Sequence, residues 1–388
     1  MFNDLQIIEL ASVLAGPSVG QFFAELSAEV IKIENPGTGG DVTRSWKTKS
    51  EGDEDISAYF SSTNWGKKSL TLNLNEKEGR EVLYNLIRQT DIVITSYKPG
   101  DAEKLQVDYD YLYSLNPKLI YAEITGYGYK VNRVGYDAII QAEAGFMHIN
   151  GQADGPPTKM PVALVDVLAG HHLKEAILVA LINRTQSHKG RRVSVSLMDA
   201  AISSLANQAA NYLVAGLNPA RKGSIHPNIA PYGEIFRTMD GKALILAVGN
   251  DKQFERLCRI LDVSALANDE KFKSNQARVS NRNELKGHLS PKISTFTAGN
   301  LTAKLIEKQV PAGIITSVAE AIDQSNVEDL LIKSDYYTGL RGFVAKGLEI
   351  SSHILPPPKL GEHNYLILKD KLAYSPSEIE DLQRRGVI

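Results

Sequence analysis

The sequence has few of the residues and patterns that mark several common classes of protein. Its single cysteine, Cys258, excludes an internal disulfide and any metal site built from cysteines. Lys and Arg number 43 against 45 Asp and Glu, and this net charge of −2 gives no overall attraction to nucleic acid or an anionic membrane. No run approaches the about 18 uncharged apolar residues of a membrane-spanning helix. We therefore expect neither a nucleic-acid partner nor a membrane partner.

The N-terminal residues lack the basic segment that opens a signal peptide, and Asp4 precedes the first apolar run. The low cysteine content also favours a reducing compartment. We expect a cytoplasmic protein.

The composition is that of a folded chain with a sizeable core. Hydrophobic residues make up 43% of the 388 positions. This length is more than twice the roughly 150 residues of one domain, which indicates two domains or one large α/β unit.

Short apolar strands alternate with amphipathic helices through the first two hundred residues. This alternation predicts a parallel sheet with helices on both faces, a doubly wound α/β domain. The predicted strands cover residues 5–11, 29–34, 69–74, 91–96, 119–124, 161–165 and 191–197.

The second half of the chain has a different sequence pattern. Asp240 and Gly241 lie between two strand-like segments, 233–238 and 242–248, and predict a hairpin. Near the C-terminus, Ser375 and Glu378 form a capping-box pattern that predicts a final helix. We expect a large domain over 1–200, a linker over 201–224, a small α+β domain over 225–325, and a return segment with the C-terminal helix over 326–388.

Asp166 lies in the most informative segment, between an apolar run and a helix. An aspartate in this position is a favoured helix N-cap. The carboxyl end of a strand is also where ligands bind in an open α/β sheet, so the carboxylate suits a nucleophile, a base or a metal ligand. The small residues Ala169 and Gly170 would let a substrate approach the helix. Spacing alone does not decide between the N-cap and the functional alternatives.

The first strand–helix turn lacks the G-x-G-x-x-G pattern of dinucleotide-binding folds, because it contains only Gly16 and Gly20. This argues against a nicotinamide or flavin site, although small residues there could admit a pantetheine arm. Two basic loops, 37–44 and 64–68, are typical either of phosphate binding or of a solvated surface. Histidine spacing gives no metal site.

Taken together, several motifs resemble those of the family III CoA-transferases, which include formyl-CoA and carnitine CoA-transferases. The motifs follow one another in the family's order over essentially the whole chain. They are VLAGP at 13–17, AEVIKIE at 28–34, GGDVTR at 39–44, NWGKKS at 64–69, YKPG at 97–100, GYG at 126–128, GYD at 135–137, LVD at 164–166, HPNIAPY at 226–232, VPAG at 310–313, PPP at 356–358 and LGEH at 360–363.

The resemblance implies a fold and a reaction. Family members have a large Rossmann-like domain, a small middle domain and a C-terminal return, and two chains interlock as a homodimer. Asp166 matches the catalytic aspartate, which carries CoA from an acyl-CoA donor to a free carboxylic acid through acyl-aspartyl and aspartyl-CoA intermediates. Coenzyme A is then a substrate and product, and the resemblance implies no metal or redox cofactor.

The resemblance also assigns the coenzyme contacts. In three places the sequence departs from the usual family residue: Ser96 replaces asparagine, Lys104 replaces arginine and Ser27 replaces glycine. The glycine-rich loop of formyl-CoA transferase is reduced to residues 248–251, which argues against formyl or oxalyl substrates. The implied CoA-binding residues are Leu14, Ala15, Leu72, Asn73, Leu74, Asn75, Ser96, Tyr97, Lys98, Lys104, Arg133, Val134, Gly135 and Tyr136, and the substrate-loop candidates are Asp137, Gly249 and Asn250.

Two other functions stay open. An acyl-CoA racemase of the same superfamily uses a histidine where this sequence has Tyr136, and tyrosine, with a pKa near 10, is a poor base at neutral pH. A CoA-binding protein without catalysis would not need Asp166. The sequence does not identify the donor or the acceptor acid; succinyl-CoA is a donor that the family commonly uses.

Overall fold

The computed structural model describes residues 1–52, 56–348 and 354–388. Within these ranges the strands are β1 (Gln6–Leu10), β2 (Glu29–Glu34), β3 (Lys67–Thr71), β4 (Ile92–Thr95), β5 (Ile120–Thr125), β6 (Arg191–Ser196), β7 (Tyr232–Arg237), β8 (Ala243–Ala247), β9 (Ala312–Ile314), β10 (Leu331–Lys333) and β11 (Thr338–Leu340).

The α-helices of the same ranges are α1 (Ala15–Glu25), α2 (Ala58–Ser61), α3 (Lys77–Ile87), α4 (Asp101–Lys104), α5 (Tyr109–Leu115), α6 (Asp137–Glu143), α7 (Phe146–Ile149), α8 (Leu164–Ser187), α9 (Leu197–Ser203), α10 (Ala206–Ala215), α11 (Asp251–Ile260), α12 (Asn275–Ser280), α13 (Arg282–Ile293), α14 (Ala298–Glu307), α15 (Val318–Ile322) and α16 (Pro376–Arg384). Short 3₁₀ turns and a π-helical turn (Leu366–Lys371) complete the chain.

The described residues group into two compact units. The first contains residues 1–146, 160–215 and 328–388, and the second contains 147–159 and 216–327. These limits differ from the expected domain boundaries. Residues 147–159 group with the second unit, and the first part of the expected linker forms the end of α9 and the whole of α10.

The first unit is built on a six-stranded parallel sheet with the strand order β3-β2-β1-β4-β5-β6. Consecutive strand residues enter opposite cores, as the pleat of a strand requires. Ile7 packs with α1, α8 and α9 on one face, and Ile8 packs with α3, α5 and α16 on the other. The predicted Rossmann-like α/β architecture is confirmed.

The predicted strand over residues 161–165 is wrong. Residues 161–163 form neither strand nor helix, and Leu164 already begins α8. A short apolar run does not distinguish a buried strand from the first turn of a helix. In addition, β5 pairs with β4 on one side and with β6 on the other, so no further strand can lie beside β5.

The C-terminal residues cover the outer edge of β3. Thr71 N donates to Asn364 Oδ1 at 2.9 Å, and His363 N donates to Ser69 O at 3.0 Å. Exposed strand edges invite pairing with other chains, and this tail occupies the edge. The predicted capping box of the last helix is confirmed, because the Ser375 side chain accepts from Glu378 N.

Ser27 shows why glycine is usual at its position. Its φ is 75°, in the left-handed region that glycine adopts without strain. A serine here carries a conformational cost that the sequence comparison alone did not explain.

The second unit has an antiparallel sheet with the order β7-β8-β9. Its hairpin is as predicted, with Arg237 opposite Ala243 and Gly241 at a φ of 75° in the turn. Helices α11, α13 and α14 contribute to its apolar core, which also encloses Cys258. Burial raises the pKa of this thiol to about 12, so it stays protonated at neutral pH. Across the described ranges, no helix has the length and apolar character needed to cross a bilayer.

Candidate functional site

The strand order of the large sheet reverses between β1 and β4. In open α/β sheets, ligands bind outside the carboxyl ends of the strands at such a switch point. A cleft of about 320 Å³, here called the first cleft, lies at this position. It is lined by residues 12–16 after β1, 96–99 after β4 and 124–126 at the end of β5, by residues 133–136 and by Asp166.

Asp166 enters the first cleft from the first turn of α8. It is the third residue of this 24-residue helix, and its side chain is only 8% exposed. The positive end of the helix favours its ionised form. The N-cap interpretation of Asp166 was wrong, because the helix begins earlier than expected and Ala163 occupies the N-cap without a side-chain hydrogen bond.

Helix α8 lies against α1 at Gly170. A Cβ at this position would be 2.5 Å from Ser18 Oγ and 3.2 Å from Ala15 O. Ala169 is also fully buried. These small residues therefore serve helix packing, and the expectation that they admit a substrate was wrong. Residues four apart share a helix face, so the same close contact directs Asp166 toward the start of α1.

The turn before α1 is strained and held by an ion pair. Val13 has a φ of 74°, which is unfavourable for a β-branched residue. Asp41 Oδ1 accepts from Val13 N at 3.3 Å, and Asp41 Oδ2 lies 2.9 Å from Lys32 Nζ. Lys32 Nζ also donates to Ala11 O at 2.7 Å. The pair thus fixes both sides of the turn that leads into the cleft.

In each of the two basic loops, a buried cation pairs with a buried carboxylate, and so it neither binds phosphate nor faces solvent. Arg44 makes a bidentate pair with Glu34, at 2.8 and 2.7 Å. Lys67 Nζ lies 2.8 Å from Glu9 Oε2 and is fully buried. Burial acts to raise the pKa of Glu34, but Arg44 and Lys32 outweigh it and hold that pKa below its usual value. Both cations stabilise the sheet.

The structure brings most of the implied coenzyme residues to two adjacent clefts. A second cleft of about 300 Å³ borders β2 and the end of β3 and shares Ser12 and Tyr97 with the first. Leu14, Ala15, Ser96, Tyr97, Lys98, Arg133, Val134, Gly135 and Tyr136 line the first cleft, and Leu72, Leu74, Asn75 and Tyr97 line the second.

Asn73 and Lys104 line neither cleft. The Asn73 side chain accepts from Asn75 N at 3.1 Å and so shapes the turn. Lys104 is exposed and pairs with Asp101 at 3.3 Å. Both keep their implied coenzyme role as a prediction.

Two cations of the first cleft have acidic neighbours. Lys98 Nζ lies 3.6 Å from Asp101 Oδ2. Arg133 donates to Glu143 and stacks on the Tyr127 ring at 4.3 Å. Both side chains are about half exposed, so they are accessible to an incoming anion.

The substrate-loop candidates occupy different places. Asp137 is buried at the start of α6, and its carboxylate accepts from Val165 N at 2.8 Å. Gly249 and Asn250 belong to the second unit, where Asn250 caps α11 by accepting from Gln253 N. Gly249 N donates to the Gln253 side chain at 2.8 Å. A capping motif thus occupies the place of the reduced glycine-rich loop.

Gly126 and Gly135 form a close backbone contact that sequence reasoning had not placed in the site. A Cβ on Gly126 would lie 2.7 Å from Gly135 Cα, and a Cβ on Gly135 would lie 2.5 Å from Gly126 Cα. Both glycines line the first cleft. The repeated glycine–tyrosine pattern was the available signal, but spacing did not reveal that the two loops touch.

The segment after β2 supplies further residues that the sequence did not single out. Val42 lines the first cleft. Trp46 and Tyr59 meet edge to face, with ring centroids 5.1 Å apart. Burial, together with the carboxylates of Asp166 and Asp137, raises the pKa of Tyr59. The Tyr59 hydroxyl therefore remains protonated near Asp166 at neutral pH.

The described side chains include no group of three or more His, Cys, Asp or Glu residues placed to hold a metal ion. The arrangement at the first cleft is instead one buried carboxylate, two helix N-termini and two accessible cations. These are parts suited to holding an anionic ligand and to attack by a carboxylate.

The sequence is similar to those of known CoA-transferases, and the structure is similar to that of a CAIB/BAIF family protein. The chain is 39% identical to a succinate–glutarate CoA-transferase of Agrobacterium fabrum, over 98% of this chain and 96% of that protein. It is 33% identical to the human succinyl-CoA:glutarate CoA-transferase, over 100% and 89% of the two chains. A crystal structure of a CAIB/BAIF family protein from Brucella suis matches with a TM-score of 0.83 and 38% identity, covering 94% of this chain and 98% of that one.

The family model described as CoA-transferase family III matches residues 2–364. The match and the relatives span nearly the whole chain, including both units. The protein belongs to CoA-transferase family III and is a CoA-transferase.

Proposed function

We propose that this enzyme moves CoA from an acyl-CoA donor to a free carboxylic acid through two covalent intermediates on Asp166. The observation that carries the proposal is the position of Asp166: a buried carboxylate at a helix N-terminus, on the same cleft as nine of the implied coenzyme residues. A carboxylate held in this way is available as a nucleophile toward a thioester.

The reaction begins when an Asp166 oxygen attacks the thioester carbonyl carbon. The carbon–sulfur bond breaks, CoA leaves as thiolate, and an acyl-aspartyl anhydride remains. The thiolate then attacks the aspartyl carbonyl carbon and expels the donor acid, which leaves aspartyl-CoA.

The acceptor carboxylate attacks this second thioester and releases the thiolate, giving a new anhydride. Attack of the thiolate on the acceptor carbonyl then forms the product acyl-CoA and restores the Asp166 carboxylate. Every step exchanges a carboxylate for a thiolate, so no proton transfer and no metal or redox cofactor is needed.

The start of α1 is the proposed place for the developing oxyanions. The first N–H groups of a helix have no intrahelical acceptor. Ala15 and Gly16 provide two of these groups, and both residues line the first cleft together with Asp166. Backbone N–H groups fixed in this way stabilise tetrahedral intermediates without reorganisation.

The coenzyme is proposed to lie across both clefts, which join at Ser12 and Tyr97. Its thioester end occupies the first cleft near Asp166. Lys98 and Arg133 are the cations on this path that reach solvent and can meet phosphate oxygens.

A dicarboxylate is the proposed acceptor class. The relatives are named for succinate, glutarate, oxalate and mesaconate, all of which are dicarboxylic acids. Succinyl-CoA is the proposed donor, since it appears in the names of the mammalian relatives.

A second copy of the chain is the proposed partner, in an interlocked homodimer. Helix α10 of the first unit presents a row of exposed apolar side chains, with Val214 87% exposed. Such a row favours burial against another protein surface. Light scattering on the purified protein should give the mass of two chains, and a monomer at micromolar concentration would contradict this assembly. The proposed compartment is the cytoplasm.

An acyl-exchange assay tests the reaction. Purified enzyme is mixed with succinyl-CoA and a panel of carboxylic acids, and new acyl-CoA species are measured by mass spectrometry. Asp166→Ala should abolish exchange. Asp199→Ala is the matched control, because Asp199 is likewise the third residue of a helix, α9, but is exposed.

The outcome separates the alternatives. Exchange in the wild type and in the Asp199 variant, with none in the Asp166 variant, is the expected result. Exchange that survives Asp166→Ala refutes the aspartyl mechanism. Loss of the α-proton of a 2-methylacyl-CoA without any exchange would instead indicate a racemase, and CoA binding without either reaction a non-catalytic protein.

A further inference from the structure

A buried chain of hydrogen bonds holds the segment that leads into α8. Asp137 Oδ1 accepts from Val165 N at 2.8 Å, and Asp137 Oδ2 accepts from Gln141 Nε2 at 2.8 Å. Gln141 Oε1 accepts in turn from Met160 N at 2.9 Å. Gln141 is fully buried. Helix α6 therefore holds both ends of the short segment immediately before Asp166.

Apolar packing contributes little to the placement of this segment. Residues 161–163 form neither helix nor strand, and the side chains of Met160 and Val162 are 42% and 54% exposed. A segment with so few buried apolar contacts opens readily unless other bonds hold it. The polar chain from α6 helps to fix its position.

The same chain replaces a missing helix cap. Ala163, the N-cap residue of α8, provides no side-chain acceptor. The first N–H groups of a helix need acceptors from elsewhere. Asp137 supplies one from a neighbouring helix, to the backbone N–H of the residue directly before Asp166.

We propose that Asp137 and Gln141 are positioning residues that set the Asp166 carboxylate for attack on the thioester. This inference rests on the proposed role of Asp166. The carboxylate of Asp137 is turned to protein N–H groups, and neither residue is among those that line the first cleft. Asp137 acts through the backbone of α8, in place of the substrate contact expected from the sequence.

Asp137→Asn breaks the chain by one bond. The asparagine oxygen still accepts from Val165 N, but its NH₂ group then faces the NH₂ group of Gln141. If the Gln141 amide turns over, its oxygen accepts from the new asparagine. Its NH₂ group then faces Met160 N, which is also a donor. One of the three bonds is lost in either arrangement.

The exchanged pair Asp137→Asn with Gln141→Glu restores all three bonds. The new amide at position 137 would accept from Val165 N and donate to the new carboxylate at position 141, which would also accept from Met160 N. The charge moves from position 137 to position 141 while the three short bonds are kept, and the longer contacts of Gln141 Nε2 to Met160 O and Val162 O, at 3.4 and 3.5 Å, are lost. The pair therefore separates positioning by hydrogen bonds from any direct effect of the Asp137 charge.

We expect Asp137→Asn to lower kcat by about 100-fold, since a misplacement of about 1 Å costs a rate of this order. The KM for the acyl-CoA should change less than about threefold, because the coenzyme residues are untouched. The exchanged pair should recover kcat to within about tenfold of the wild type. If the exchanged pair stays as slow as Asp137→Asn, the positioning role is overturned, and the charge of Asp137 itself is what supports catalysis.

Hydrogen exchange provides a readout independent of activity. Peptides covering residues 160–166 should exchange faster in Asp137→Asn and return toward the wild-type rate in the exchanged pair. If Asp137→Asn changes neither the hydrogen exchange of these peptides nor kcat, the proposal is overturned. Suppose that Asp166→Ala keeps full activity while hydrogen exchange at residues 160–166 is still faster in Asp137→Asn. In that case the proposed function has failed, and the structural role of the hydrogen-bond chain remains.

Gln141→Ala provides a second test should the aspartate variants unfold. It leaves Asp137 on Val165 N and removes every bond of the Gln141 amide, to Asp137 Oδ2 and to Met160 and Val162. Faster exchange at residues 160–162 with a kcat reduced about tenfold is the expected result. A folded Gln141→Ala enzyme with wild-type kcat contradicts the proposal.

Discussion

The contact between α1 and α8 gives a quantitative prediction about the position of Asp166. In Gly170→Ala the new methyl group would lie 2.5 Å from Ser18 Oγ, about 0.9 Å short of the 3.4 Å of an ordinary contact. Either α8 moves away from α1 or Ser18 rotates and loses its 2.8 Å bond to Ala15 O. A lost hydrogen bond costs about 1 kcal/mol, and overpacking costs about 1–3 kcal/mol.

The change also has a favourable part. Alanine is better than glycine inside a helix by about 0.5–1 kcal/mol. We therefore expect Gly170→Ala to lower the free energy of unfolding by about 1 kcal/mol overall. Because Asp166 lies one turn earlier on the same face, kcat should fall about tenfold or more while the KM for acyl-CoA changes little.

A double-mutant cycle with Ser18→Ala tests the cause. Without Ser18 Oγ, the nearest neighbours of the new methyl are Ala15 O at 3.2 Å and Ser18 Cβ at 3.9 Å, so the clash is relieved. The double variant should be more stable than the sum of the two single changes, by about 1 kcal/mol. Urea unfolding and exchange kinetics of all four proteins measure this coupling. Strict additivity, within about 0.5 kcal/mol, would refute the reasoning.

The remaining predictions concern strain and buried charge. Ser27→Gly and Val13→Gly both relieve a positive φ, so each should raise the stability measured in thermal melts by about 1 kcal/mol or leave it unchanged. Only Val13→Gly should lower kcat, because only the turn at Val13 leads into the first cleft. Equal kcat values in the two variants would contradict this. The pKa of Glu34 is lower in the fold than its unfolded value of 4.5, so its ionised form stabilises the protein above that pH and the contribution is lost as the pH falls through the folded pKa. Glu34→Gln should therefore lower the free energy of unfolding at pH 7 by about 3–5 kcal/mol, and by clearly less near pH 3; a difference independent of pH in urea titrations would be the contrary result.

Local patterns were sufficient for most of the fold. The strands β1, β2 and β4–β6 agree with the predicted segments to within one residue at each end, and the turn at Gly241 and the cap at Ser375 follow from residue chemistry. The error at residues 161–165 has a physical cause, because a short apolar run suits a buried strand and the first turn of a helix equally well. The strand order itself is a long-range property that no local pattern contains.

The residues of the site could be predicted only where they belong to a recognisable family motif. Asp166 and the residues at 133–136 were found by resemblance, and the structure places them on one cleft. The contact of Gly126 with Gly135 joins two loop residues, and the bond from Asp137 to the start of α8 spans 28 positions, so neither follows from a local helix or strand pattern. The basic loops at Arg44 and Lys67 were compatible with phosphate binding or with a solvated surface, because the sequence does not show their buried carboxylate partners.

The fate of one oxygen atom tests the central claim most directly. In the proposed reaction, an acceptor carboxylate oxygen becomes part of the Asp166 carboxylate and reaches the released donor acid only in the following turnover. A single-turnover experiment therefore uses excess enzyme, succinyl-CoA and the acceptor acid labelled with oxygen-18. We expect one labelled oxygen in the Asp166 peptide and none in the released succinate. Label in succinate after one turnover, with an unlabelled Asp166 peptide, would show direct transfer between the two acids and contradict the covalent mechanism.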